Sequence, residues 1–268
     1  MTTTETGAVS VNGLEMYYEI HGEGQPLVLL HGAFSAIGSS FGDLLPGLAD
    51  GRKVVAFELQ GHGRTADIDR PLTYEAMAHD VTAAIEQLEL GTVDVYGYSM
   101  GAFVGLLVTV RRPDLVRKLV FMSGTYSGSG VHPGLMEGLG AMTPKMMYGS
   151  EWHDEYMRIA PRPEDFERLF AKKSEMDAAF TDLLDEDIEA IEAPTLIVLG
   201  DSDLVRPEHA VEMFRLRGGG VFGDMPPGLP ASQLAVLPGT SHVSIKSRAD
   251  LLVPIVTSFL DAPMPESG

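Results

Sequence analysis

Apolar and polar residues change places along this chain in two rhythms. Val9 to Ile20 reads as a β-hairpin closed by Asn12-Gly13, a pair that tolerates the positive φ of a two-residue turn. After it come short apolar runs: Leu27–Leu30, Val54–Phe57, Val93–Tyr96, Leu119–Met122, Thr195–Leu199 and Leu234–Leu237. Their apolar residues are consecutive, not alternating, which suits strands covered on both faces, as in a parallel sheet.

Helical patterns lie between these runs. In Thr73–Leu88 the residues Met77, Val81, Ala84, Ile85 and Leu88 share one face. Thr73 is placed to cap the start and Gly91 follows the end. Gly101–Arg111 is a second helix, stopped ahead of Pro113, and Arg248–Leu260 is the last. Strand–helix alternation predicts a doubly wound α/β fold: a mostly parallel eight-stranded sheet with helices on both faces, made mixed by the hairpin.

The alternation breaks between Thr125 and Glu192, where no strand is predicted. This stretch holds Trp152, the only tryptophan, and six of the 14 methionines: Met136, Met142, Met146, Met147, Met157 and Met176. Glu164–Leu184 reads as a helix. The expected organisation is a core of residues 1–124 and 193–268, with a helical cap, 125–192, inserted between two strands. A Gly/Pro-rich loop, 217–232, should lie at the amino ends of the strands, away from the edge where α/β sheets gather ligands. Its expected role is passive, or contact with another subunit.

The chain has 268 residues, 44% hydrophobic, and no cysteine. It therefore has no disulfide and no thiolate chemistry. Nineteen Lys and Arg against 38 Asp and Glu give a net charge of -19, which repels a phosphate backbone and argues against nucleic acid. Met1–Ser10 lacks the basic and apolar parts of a secretory signal, and no apolar run approaches the ~20 residues of a membrane span. The expectation is a cytoplasmic protein with no membrane partner, with self-association into a homo-oligomer left open.

Gly97-Tyr98-Ser99-Met100-Gly101 carries the chemistry. It follows a predicted strand and opens a helix, the setting in which a strained turn lifts a serine hydroxyl above the sheet. A second Gly-x-Ser-x-Gly match, Gly38–Gly42, has no strand before it and reads as loop. Serine needs a base. His242 follows the run Leu234–Leu237 and so falls at the same edge as Ser99. His79 and His209 read as solvated helix positions. The base needs a carboxylate: Asp203 is favoured over Asp201, both lying after Thr195–Leu199. Oxyanion donors would be the backbone amides of Met100 and of Ala33, with Phe34 second to Ala33. Pocket candidates are Phe34, Trp152 and Met146.

Over nearly its full length the chain resembles the α/β-hydrolases. The resemblance rests on His31-Gly32, on Gly61-His62-Gly63-Arg64-Thr65, on the Ser99 turn, and on Asp203 and His242 in the order Ser…acid…His. Glu58 departs from the family pattern, where Asp is commoner, and a local effect on the turn is expected. The resemblance implies a cofactor-independent serine esterase acting on a small-molecule ester. The same triad also serves carbon–carbon hydrolases, lactonases, amidases and perhydrolases, and hydrolase-fold ligand receptors can keep it. No metal, phosphate-cradling or dinucleotide motif is present.

Overall fold

A computed structural model describes residues 5–226 and 228–265. Met1–Thr4 of the polar N-terminus, Pro227 of the Gly/Pro-rich loop, and residues 266–268 lie outside the described residues. Eight strands form one sheet: β1 Glu5–Val11, β2 Leu14–His21, β3 Gln25–Leu30, β4 Arg52–Phe57, β5 Val93–Tyr98, β6 Val116–Met122, β7 Thr195–Ser202 and β8 Gln233–Ser241. Their order is β1-β2-β4-β3-β5-β6-β7-β8. β2 runs antiparallel to both of its neighbours, and every pairing from β4 to β8 is parallel. Asn12 and Gly13 both take positive φ, and Val11 pairs with Leu14 across the turn.

The consecutive apolar runs are explained by two cores. Val28, Leu30, Val55, Phe57, Val95, Leu119 and Phe121 point into one, whereas Leu27, Leu29, Val54, Ala56, Tyr96, Val120 and Met122 point into the other. The central strands still alternate with period two, but both of their faces are buried; β8, at the sheet edge, is not covered on both faces as its run suggested, and Val236 is exposed. The helices outside the β6–β7 connection are α1 Ile37–Phe41, α2 Leu45–Leu48, α3 Tyr74–Gln87, α4 Met100–Arg111, and two more after β7. α3 and α4 cover the first face; α1 and α2 cover the second. Thr73 caps α3, its hydroxyl accepting from the Ala76 amide at 3.0 Å.

Between β6 and β7 run α5 Leu135–Gly140, α6 Glu151–Ile159, α7 Phe166–Ala178 and α8 Asp185–Glu189, with three short 3-10 turns. After β7 come α9 Pro207–Leu216 and, after β8, α10 Ala249–Asp261, which packs on the second core. Three sequence expectations change. Gly38–Gly42 is not loop: most of it lies in α1, whose Ile37 and Phe41 are buried. The helix expected over 164–184 ends at Ala178, because Phe180 turns onto Phe103 and Tyr74 and the Leu183 amide bonds the Tyr126 carbonyl. His209 is not solvated; it is 1% exposed, stacked on Tyr126.

The loop after α9 leads into the amino end of β8, as expected, and exposes Val221, Phe222, Met225 and Leu229. Among the described residues no helix is long and apolar enough to cross a membrane.

Strand β5 and helix α4 cross within backbone contact. A Cβ on Gly97 would sit 2.2 Å from the Gly101 carbonyl oxygen, and one on Gly101 would sit 2.1 Å from that of Leu30. Gly138 in α5 has open space around it. Gly101→Ala should therefore destabilise by about 1–3 kcal/mol or more, as overpacking does. Gly138→Ala should be neutral or stabilise by up to about 1 kcal/mol. Urea midpoints of the two variants check this, and equal midpoints would contradict it.

Candidate active site

The turn from β5 into α4 holds Ser99 at φ 55°, ψ -116°, a conformation that side-chain-bearing residues avoid. The two glycines admit the crossing, and the Ser99 amide is tied to the Met122 carbonyl at 2.9 Å. Three of the five non-glycine residues with positive φ among those described are Phe34, Ser99 and Ser123. All three line the cavities described below, and backbone strain of this kind gathers at working sites.

Three side chains meet at the carboxyl edge of the sheet. Ser99 Oγ lies 2.9 Å from His242 Nε2, and His242 Nδ1 lies 2.8 Å from Asp203 Oδ1. Ser99 follows β5, Asp203 follows β7 and His242 follows β8. The Tyr98 hydroxyl donates to the His242 carbonyl at 2.8 Å and so holds the histidine loop against the serine turn.

Asp203 is buried and its oxygens are fully used. Oδ2 accepts from the Ser123 hydroxyl at 2.6 Å and the Gly200 amide at 3.3 Å; Oδ1 accepts from the Val205 amide at 3.2 Å besides His242. Burial alone would raise its pKa, but the bonds from His242, Ser123 and Val205 outweigh burial and leave it below the usual carboxylate value. Asp201 is exposed and has no hydrogen bond to His242 among the described residues. It accepts from the amides of Gly239 and Thr240 at 2.8 and 3.1 Å, which lowers its pKa and pins the end of β8. The structure thus pairs Asp203, not Asp201, with the histidine.

Ala33 and Met100 flank Ser99 in one cavity. Among the described residues the Ala33 amide has no hydrogen-bond partner, and the Met100 amide heads α4, where helical bonding supplies none. Both are free to receive a developing oxyanion. The loop that carries Ala33 is held by buried His31, whose Nδ1 lies 2.7 Å from the Gly32 carbonyl while Nε2 accepts the Leu59 amide at 2.9 Å. Burial lowers the pKa of His31 to about 4 and that of His62 to about 3, so both stay neutral. Buried Glu58 accepts from the Arg64 backbone and guanidinium and from the Ile37 amide, tying the Gly-His-Gly turn to α1. Its effect is local, as expected.

Two adjoining cavities of about 390 and 130 Å³ open on Ser99. Phe34 and Trp152 line the larger, with Met142, Met147 and Phe170. Met146 does not; it is 66% exposed. It shares a tight 3-10 turn with Met147, where successive side chains leave the axis about 120° apart, and only Met147 reaches the cavity. Sequence reasoning also missed Ser123, the second ligand of Asp203, and the cavity-lining pair Lys173 and Asp177. A serine directly after a predicted strand, level with the acid, is the one signal that pointed to Ser123. Among the described residues no three His, Cys, Asp or Glu side chains converge on a metal position.

A model of the alpha/beta hydrolase family matches residues 27–255. The chain is 27% identical over 214 residues to the putative carbamate hydrolase RutD of Rhizobium rhizogenes, covering 72% of this chain and 81% of that one. It is 36% identical over 111 residues to the Karrikin insensitive 2 receptor CA of Petunia hybrida, spanning 40% of this chain and less than half, 41%, of the receptor. The crystal structure of a serine hydrolase involved in carbazole degradation, the CarC enzyme, superposes with a TM-score of 0.76 at 24% identity, over 96% of this chain and 98% of that one.

Ser123→Ala removes a donor that helps keep Asp203 charged. The Asp203 pKa should rise toward the ordinary carboxylate value. A carboxylate with a depressed folded pKa stabilises above its unfolded pKa and loses that contribution as pH falls through the folded one. Acid unfolding of Ser123→Ala should therefore begin at higher pH than in the wild type. Carboxyl-carbon NMR titration and acid melts test this, and an unmoved Asp203 titration would refute it.

Proposed function

The chain belongs to the alpha/beta hydrolase family, and on that premise we propose that it cleaves a carboxylic ester of a small to medium, mainly apolar molecule through an acyl-enzyme intermediate. The observation that carries this reading is the continuous hydrogen-bonded line from Asp203 through His242 to Ser99, ending beneath an apolar cavity.

In this reading Ser99 Oγ attacks the ester carbonyl while His242 Nε2 takes its proton. Asp203 fixes the Nδ1–H tautomer and stabilises the imidazolium. The carbonyl oxygen, now negative, accepts from the amides of Ala33 and Met100, a contribution worth about 10²–10³ in rate per donor in related sites. The tetrahedral adduct collapses, and His242 returns the proton to the departing alkoxide. Water, deprotonated by His242, then attacks the acyl-enzyme and releases the acid and Ser99. An amide or carbamate carbonyl could follow the same course, and the likeness to a carbamate hydrolase keeps that within reach. Residues 125–192 act as the cap, closing the cavity with Met147, Trp152 and Phe170. The partner is a small molecule met in the cytoplasm, without nucleic acid or membrane, and a second copy of the chain is not required by this chemistry.

A second reading has one specific observation behind it, the 36% identity to a receptor over 111 residues. A receptor of this fold would hold its acylated serine and move its cap instead of turning over.

A fluorophosphonate should label Ser99, located by peptide mapping. p-Nitrophenyl esters of graded chain length should be turned over repeatedly. Ser99→Ala should lower kcat about 10⁴–10⁶-fold without loss of fold. Inactivity on every ester with turnover of a vinylogous diketone would replace ester by carbon–carbon cleavage. A single slow turnover with a cap rearrangement would favour the receptor. Asp203→Asn should be crippled and Asp201→Asn close to wild type; the reverse pattern would move the acid to Asp201.

A further inference from the structure

The walls of the two cavities are mostly apolar, but one ion pair belongs to both. Lys173 and Asp177, one turn apart on α7, line both cavities, as do Ala33 and Ser99. The Lys173 side chain is only 8% exposed. Its ammonium donates to both oxygens of Asp177, and among the described residues these are its only partners. An ammonium has three donors, so one remains. Asp177 also accepts from the Tyr74 hydroxyl at 3.1 Å, which joins α7 to α3 across the cavity.

The tie between helices does not need Lys173. Asp177 and Tyr74 make it by themselves, and a buried ion pair adds little to stability because desolvation consumes most of its attraction. Lys246 is the other lysine on the larger cavity; its side chain is 11% exposed, but it does not line the smaller cavity, and its partner Glu151 is 61% exposed, so that pair is screened by water. Of these two lysines only Lys173 lines both cavities, and its partner Asp177 lines them with it.

From this arrangement, and resting on the ester reading above, we infer that Lys173 forms a polar subsite for a second, uncharged acceptor oxygen of the substrate, such as a ketone, ether or hydroxyl oxygen close to the scissile carbonyl. The substrate is then not a plain alkyl ester. The charge balance decides between a neutral and an anionic group. Asp177 already cancels the ammonium, and the molecule as a whole carries a net charge of -19. A carboxylate entering this site would carry an unbalanced charge out of water, whereas a neutral oxygen takes the third N–H at no such cost.

Three esters of matched shape test this: methyl pentanoate, methyl 4-oxopentanoate and monomethyl succinate. Their kcat/KM values are followed by pH-stat titration on the wild type. Their dissociation constants are measured by calorimetry on Ser99→Ala, where no reaction is needed. The oxo ester should exceed the alkyl ester about tenfold in both measurements, the size of one hydrogen bond to a charged donor. The succinate should come last. In Lys173→Met the oxo/alkyl ratio should fall to about one. Asp177→Asn leaves the ammonium unbalanced, so the succinate should gain at least tenfold relative to the oxo ester. This second variant keeps the test decisive if Lys173→Met does not fold. A wild-type ratio near one, a ratio that survives Lys173→Met, succinate as the preferred wild-type ligand, or no succinate gain in Asp177→Asn would each overturn the subsite. Absence of turnover on all three esters, with the binding ratio intact, would instead overturn the ester reading and leave the subsite standing.

Discussion

Everything at the working edge of this sheet depends on how closely β5 and α4 cross. The Gly97 and Gly101 backbones meet at a separation that leaves no room for a Cβ. Close crossing makes the turn so tight that the residue at its apex is driven to positive φ. A serine pays that conformational cost, and its hydroxyl emerges clear of both elements. The same crossing places the free first amide of α4 beside that hydroxyl. The exposed hydroxyl and the free amide beside it are thus products of one steric constraint.

Around that point the molecule uses polar side chains, most of them buried, to hold loops. His31 fixes the Ala33 loop through both ring nitrogens. Glu58 fixes the Gly-His-Gly turn through Arg64 and Ile37. Asp201 fixes the end of β8, and Tyr98 fixes the loop bearing His242. Asp203 is held by four donors, so its carboxylate cannot swing away from the imidazole. Two of these ties act directly on the line Asp203–His242–Ser99, and the others hold the loops around it. Preorganisation of this kind removes the reorganisation that charge development would otherwise demand.

The segment between β6 and β7 has a different logic. It contributes Trp152, Met147 and Phe170 to the cavity, and it is fastened to the rest through Asp67. That carboxylate binds Arg168 and Lys172 of α7. Burial would raise the Asp67 pKa, but these cations and Gln60 lower it. The site is thus assembled from a rigid sheet edge below and a helical segment, bound by charge, above.

Much of this was legible in the order of residues. Consecutive Val, Leu and Ile runs identified doubly covered strands, because a strand buried on both faces keeps a polar residue only where it is paired, as Asp94 is with Arg117. Ser99, Asp203 and His242 could be named because each directly follows such a run, and a parallel sheet delivers all its strand ends to one edge. Only the tertiary structure decided which of two neighbouring side chains did what. Met147 and not Met146 reaches the cavity, since a 3-10 turn sends adjacent side chains about 120° apart and packing selects one of them. His209 is buried through its stacking on Tyr126, a contact between distant parts of the chain. Ser123, Lys173 and Asp177 acquired their places from packing between elements far apart in the sequence. Local pattern determines which elements form and where they end; long-range packing determines what their side chains touch.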